Sequence, residues 1–270
     1  MSSFLYSLNA STIRTTPLLD KIRIAGKTGY HGIELWFDEV EQFLAQGGEL
    51  ERITAAIQES GLAIPTMIML RDWWSATPEE YPAVFETCLE RIRLAARLGA
   101  EYVICPHREL PDYDLGAQRY RELLEAGIKA GAKPAVEFLG FVEAVTRIED
   151  ALQIVEKSGH PQATLVLDPF HVFRGGGSME TIAQLKPAQI AISHFNDAVN
   201  NIPRETQMDP DRVLPGDGDL DLTHYCRLLK QIGYQSWLSL ELFREDLWQK
   251  DPLEVAKLGL ERMQSIAENA

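Results

Sequence analysis

The chain has 270 residues, 45% of them hydrophobic and 24% charged, with a formal net charge of −14 at pH 7. That apolar share supplies a sizeable core and excludes a disordered chain, and the negative charge disfavours a long nucleic-acid partner, whose phosphates need Lys and Arg to neutralise them. No uncharged run of about 18 apolar residues occurs, and the first twenty residues lack a basic patch followed by an apolar core, so no membrane span is expected and the location expected is cytoplasmic.

Short β-branched or aromatic runs alternate with segments of helical period. The first predicted strand covers residues 4–9. Thr16 and Pro17 then open a helix with Leu19, Ile22 and Ala25 as its buried stripe and Gly29 as its stop. A strand at 32–37 is followed by Leu50, Ile53 and Ile57 before Gly61, and a strand at 64–70 by Phe85, Leu89, Ile92 and Ala96 before Gly99. Strands at 102–106, 135–139, 164–168 and 190–195 come next. The stretch from Asp197 to Asp219 holds Pro203, Pro210, Pro215, Gly216 and Gly218 and has no period; a loop that long in a compact domain usually serves function. Leu222, Tyr225, Leu229 and Ile232 before Gly233 give another helix, residues 237–242 the eighth strand, and Leu253, Ala256, Leu260 and Met263 a closing helix. Eight such units predict one (β/α)8 TIM barrel over residues 1–270, with its active site at the C-terminal ends of the strands. Cys88, Cys105 and Cys226 are odd in number and lack CxxC spacing, and are expected to pack as small apolar groups.

At those strand ends stand Glu137, Asp168, His194 and Glu241. Any one of them alone could be a solvated or salt-bridged end. Three carboxylates buried in one barrel mouth need a common counterion, and a divalent cation offsets two of their three charges, leaving one within reach of a Lys or Arg. Oxygen-rich ligation with one imidazole favours Mn²⁺ first, with Mg²⁺, Co²⁺ or Zn²⁺ as alternatives. His171, three residues after Asp168, is placed to donate to a substrate oxygen or act as acid or base. Glu143 and Arg212 are candidate contacts for a substrate hydroxyl, carboxylate or phosphate. Glu34, His107 and Asp197, at the ends of predicted strands, are either substrate contacts, supports for the ligands, or plain structural hydrogen bonders. Trp73 and Trp74 either wall a sugar site or pack a lid. Gly175-Gly176-Gly177 has no Lys-Ser/Thr pair and does not match a P-loop.

The runs Gly29-Tyr30-His31-Gly32-Ile33-Glu34-Leu35-Trp36, Asp168-Pro169-Phe170-His171, His194-Phe195-Asn196-Asp197, Pro215-Gly216-Asp217-Gly218-Asp219 and Leu238-Ser239-Leu240-Glu241-Leu242-Phe243 resemble the xylose isomerase-like TIM-barrel superfamily, the sugar phosphate isomerases and epimerases. The resemblance implies that Glu137, Asp168, His194 and Glu241 bind one divalent metal ion. In its D-tagatose 3-epimerase branch the first and last of these also exchange the proton, and His171, Glu143 and Arg212 match that branch's substrate contacts. Inosose dehydratase and 3-dehydroshikimate dehydratase share the metal pattern. The expected reaction is therefore isomerisation or epimerisation of a small ketose, sugar phosphate or polyol-derived ketone through a metal-stabilised enediolate, with β-hydroxyl expulsion, a lyase reaction, as the alternative.

A DNA-repair hydrolase of the apurinic endonuclease type, built on the same barrel, is a remoter reading: its ligand pattern continues Asp-Arg-His, and here Val213 follows Asp211-Arg212. A non-catalytic binding barrel would not need all four ligands. Pairing of two chains into a homo-oligomer is compatible with the sequence, which shows no diagnostic interface stripe.

Overall fold

The computed structural model describes residues 4–107 and 112–270. Eight parallel strands close into a barrel in sequence order: β1 (Leu5–Asn9), β2 (Gly32–Trp36), β3 (Thr66–Ile68), β4 (Tyr102–Pro106), β5 (Lys133–Glu137), β6 (Leu165–Leu167), β7 (Ile190–Phe195) and β8 (Trp237–Leu240), with β8 returning to β1. The (β/α)8 architecture expected from the alternation is the one observed. The strands read as nearly unbroken buried runs because both faces are covered, one by helices and one by the barrel interior.

Alternation along each strand sorts the side chains. Ile33, Leu35, Val103, Cys105, Val136, Leu167, Phe195, Leu238 and Leu240 join the core shared with the helices, whereas Ile68, Ile104, Ala135, Val166, Ile192 and Trp237 form a separate cluster. Successive Cβ atoms point to opposite faces, so that second cluster is the barrel's filling. The same period places Asn9, Glu34, Glu137, His194 and Ser239 on the inner side, and carries Asp168 and Glu241, one residue beyond β6 and β8, onto it as well.

The crossovers are uneven. Helix α1 (Leu18–Thr28) leads to β2, α2 (Phe37–Ala45) and α3 (Leu50–Glu59) to β3, α4 (Tyr81–Leu98) to β4, α5 (Tyr113–Ala130) to β5, and α6 (Ile148–Lys157) to β6. Between β6 and β7 there is only the six-residue α7 (Pro169–Arg174) and short 3₁₀ turns, while α8 (Leu222–Gln231), α9 (Glu245–Trp248) and α10 (Pro252–Glu268) complete the chain. Gly29 and Gly99 end α1 and α4 in the left-handed conformation, φ 95° and 83°, as the sequence pattern requires of a C-terminal stop.

Two helices are rotated from the expected phase. In α1 the buried face is Leu18, Lys21, Ile22 and Ala25, with Leu19 half-buried, because the Lys21 ammonium finds Glu39 at 2.6 Å and can be enclosed. In α4 it is Cys88, Ile92, Ala95 and Leu98, while Phe85, Leu89 and Ala96 are half-buried. A polar-looking Lys and a small Cys hid both stripes. The three cysteines are buried and unbridged, as expected of small apolar packers. No described helix is long and apolar enough to cross a membrane.

Candidate active site

Glu137, Asp168, His194 and Glu241 meet at the C-terminal rim: each offers one ligand atom, and these atoms lie within 4.8 Å of one another, all four residues being buried. His194 points Nδ1 at the three carboxylates, 3.3 Å from Glu137 Oε1, 3.5 Å from Asp168 Oδ2 and 3.1 Å from Glu241 Oε2. That nitrogen nevertheless has no properly directed hydrogen bond among the described residues. A buried imidazole nitrogen without a partner, ringed by three carboxylate oxygens, is the donor set of a divalent cation, and the residues present fit one.

Each carboxylate is held by its own local device. Asp168 caps α7: Oδ1 accepts from the backbone N–H of Phe170 (2.8 Å) and His171 (3.2 Å), while Oδ2 accepts from Asn196 Nδ2 and Arg212. Glu241 accepts from Asn9 Nδ2 at 3.0 Å and from Arg212 at 2.5 Å. Arg212, 1% exposed, also donates to Asp209 at 2.7 Å and lies between the Phe170 and Phe243 rings. Its guanidinium is the single positive charge that the three carboxylates and a divalent cation leave to be found. The sequence reading gave Arg212 to the substrate; in the structure its bonds run to Asp168, Glu241 and Asp209.

Protonation follows from this crowding. Burial, with the charges of Glu241 and Asp168 adding to it, pushes the Glu137 carboxyl up to about 7 against the pull of His194. Burial would also raise Asp168, but the Arg212 guanidinium overrides it and holds that carboxyl well below the usual range. His194 is driven well above the ordinary imidazole value, since Glu241 and Glu34 outweigh its burial. His171 goes the other way, down to about 4, because it is enclosed and faces Arg212. Its ring is therefore neutral at pH 7. Gly140 N–H donates to Nδ1 at 3.2 Å, and the Arg212 guanidinium, which can only donate, faces Nε2 at 2.9 Å, so both ring nitrogens are met by donors.

Trp36, Phe141 and Phe243 wall the cavity at these groups, and Glu137, His171, Asp209, Arg212 and Glu241 are its polar lining. Other expected contacts lie elsewhere. Trp73 is buried and donates Nε1 to Pro106 O at 3.2 Å; with Trp74 and His107 it lines a neighbouring cavity that shares only Met69 and Pro106 with the first. Glu143 is exposed on the loop after β5. Glu34 sits beneath His194 and away from the cavity lining, fully enclosed. Asp197 is a loop organiser, accepting from the backbone N–H of Ala198, Gly216, Gly218 and Leu220 at 2.8–3.2 Å. A Cβ on Gly218 would collide with Asp197 and Ala198. Because this loop carries Arg212, Asp197→Ala is expected to cost about 3 kcal/mol, the penalty for orphaning several buried amides; urea unfolding checks it, and a loss under about 0.5 kcal/mol would contradict it.

Residues 22–266 match the family model of the xylose isomerase-like TIM barrel. The chain belongs to that family. Within it, an inosose isomerase of Bacillus velezensis is 26% identical over 268 residues, covering 95% of this chain and 94% of its own. A 3-dehydroshikimate dehydratase of Pseudomonas putida is 22% identical over 84% of this chain but only 36% of that longer protein. Among xylose isomerase-like structures, a crystal structure of the IolI protein with a bound zinc atom superposes with a TM-score of 0.91 over 99% of this chain at 23% identity, a likeness of fold.

Sequence reasoning passed over Asn9, Thr66, Ser239, Asn196 and Asp209, each of which touches a member of the cluster or its supports. For Asn9 the signal was present: it is the polar residue closing the first predicted strand. Thr66 and Ser239 read as ordinary β-formers.

Proposed function

We propose that the protein is a divalent-cation-dependent isomerase or epimerase of a small polyol- or sugar-derived ketone, with Mn²⁺ as the working ion. The observation that carries this reading is the pair Glu137 and Glu241, which come from strands three apart in the ring, line one cavity, and converge on His194 Nδ1. When bound, the cation supplies an electrophile for the negative charge that develops as a proton leaves the carbon beside a carbonyl. Glu137, Asp168, His194 and Glu241 would hold it.

The rest is the work of this chain's side chains. One of the two glutamates takes the α-proton from one side of the substrate carbon, and the other returns a proton from the other side or to the neighbouring carbon, so no atom is gained or lost. His171, neutral at pH 7 and part of the cavity lining, contacts the substrate's oxygens. Trp36, Phe141 and Phe243 give the cavity an apolar wall against which the substrate's carbon skeleton packs.

Ketohexoses, inososes and 3-dehydroshikimate, each incubated with enzyme and Mn²⁺ in D₂O and followed by proton NMR, test the reading. The expected result is deuterium incorporation with inversion or carbonyl transposition and no loss of water. An ultraviolet-absorbing dehydration product as the main outcome would assign the chemistry to a lyase instead, with His171 as the acid that expels a β-hydroxyl.

A further inference from the structure

We propose that Glu34 and Asn9 are positioning residues: Glu34 accepts from the Nε2–H of His194 and so presents Nδ1 bare to the three carboxylates, while Asn9 ties Glu34 to Glu241. This rests on the reading above, that the four residues hold a cation.

Glu34 is 0% exposed on the inner face of β2, and both its oxygens are occupied. Oε1 accepts from Asn9 Nδ2 at 3.2 Å and from the Ser239 hydroxyl; Oε2 accepts from the Thr66 hydroxyl and faces His194 Nε2 at 3.4 Å. Pinned by three neutral donors, the carboxylate cannot swing away from the ring. An acceptor-only group at Nε2 requires the proton there, and a neutral imidazole with Nε2–H carries its lone pair on Nδ1. The tautomer needed for a cation is thus set from behind the ring.

Asn9 completes the arrangement. Its Oδ1 accepts from Ser11 N (3.0 Å) and Trp36 Nε1 (2.9 Å), and its Nδ2 gives one hydrogen to Glu34 and the other to Glu241 Oε1. All four bonding capacities are in use, so the amide has one orientation. The strand register builds this in: Asn9 is the partner of Glu34 across β1 and β2, and Ser239 that of His194 across β7 and β8. Loss of a group that orients a ligand typically costs 10- to 100-fold in metal affinity.

The test is calorimetric titration of the cation-free full chain with Zn²⁺ for the wild type, Glu34→Gln and Asn9→Ala, alongside the melting temperature of each protein without the ion. Glu34→Gln keeps the shape and is expected to bind Zn²⁺ roughly 10- to 100-fold more weakly with little change in cation-free melting. Asn9→Ala is expected to weaken binding by about tenfold and to lower kcat at unchanged KM. Unchanged Zn²⁺ affinity in Glu34→Gln, with or without a drop in melting temperature, overturns the positioning role and leaves the cation reading standing. Should Glu34→Gln not fold, wild-type affinity in Asn9→Ala does the same. A wild-type chain that takes up no Zn²⁺ sinks the cation reading itself.

Discussion

Glu241→Gln is expected to lower turnover by at least about 10³-fold while far-UV circular dichroism and the cation-free melting temperature stay close to wild type. A positioned acid or base is typically worth about 10²- to 10⁴-fold, and in the proposed reaction Glu241 would combine that work with holding the cation. The substitution keeps the side-chain volume; the amide oxygen can serve only one of Asn9 and Arg212, and with it turned to Asn9 the Arg212 guanidinium still has Asp168 and Asp209 to donate to. What it removes is charge and basicity. Activity within tenfold of wild type would remove Glu241 from the chemistry, whatever its neighbours.

Cation binding is expected to depend steeply on pH. Without the ion, Glu137 is raised to about 7 and His194 well above its ordinary value, so below neutrality both sites hold protons that the cation must displace. A group fully protonated across the range weakens apparent binding by about tenfold per pH unit and one half-protonated at pH 7 by about fivefold, so affinity should fall by roughly 50-fold from pH 7 to pH 6. The sign is fixed by the direction of both shifts: raised values favour the protonated, cation-free protein as pH drops. Asp168, held low by Arg212, adds no proton in this range. Titrations in two buffers of different ionisation enthalpy would count the protons released at pH 6, with close to two expected; none released would mean that the two groups are not ligands. Chelation at pH 7 should abolish turnover, and added Mn²⁺ should restore it.

Much of this site was legible before any coordinates. Strand period and strand-end polarity place Glu137, Asp168, His194 and Glu241 together because a closed parallel barrel turns every strand's last inward residue to one rim. What failed was finer. Trp73 and His107 follow β3 and β4 yet line a separate cavity, since sequence position fixes a strand end but not which side of the loop a bulky ring packs on. Glu34 reads as a candidate substrate contact because one carboxylate at a strand end looks like another; its enclosure behind His194, outside the cavity lining, is a three-dimensional fact. Arg212 lies within a long loop whose path is set by Asp197 and four backbone amides, a geometry no periodicity announces. The α1 and α4 stripes shifted because a Lys paired with Glu39 and a small Cys88 occupy buried positions that a hydrophobicity pattern assigns to their neighbours.

The Asn9 to Glu241 bond spans the seam where β1 meets β8, joining residues 232 apart in the chain. Glu137, Asp168 and His194 stand at the ends of β5 to β7, but the fourth residue of the set, Glu241, directly follows the final strand and is tethered to the first. An ion seated among the four therefore also works as a clasp on the two chain ends. Occupancy favours the fully circularised barrel over any form with a frayed terminal strand, by the mass-action margin that ligand excess supplies. Loading and ring closure are in this way a single equilibrium.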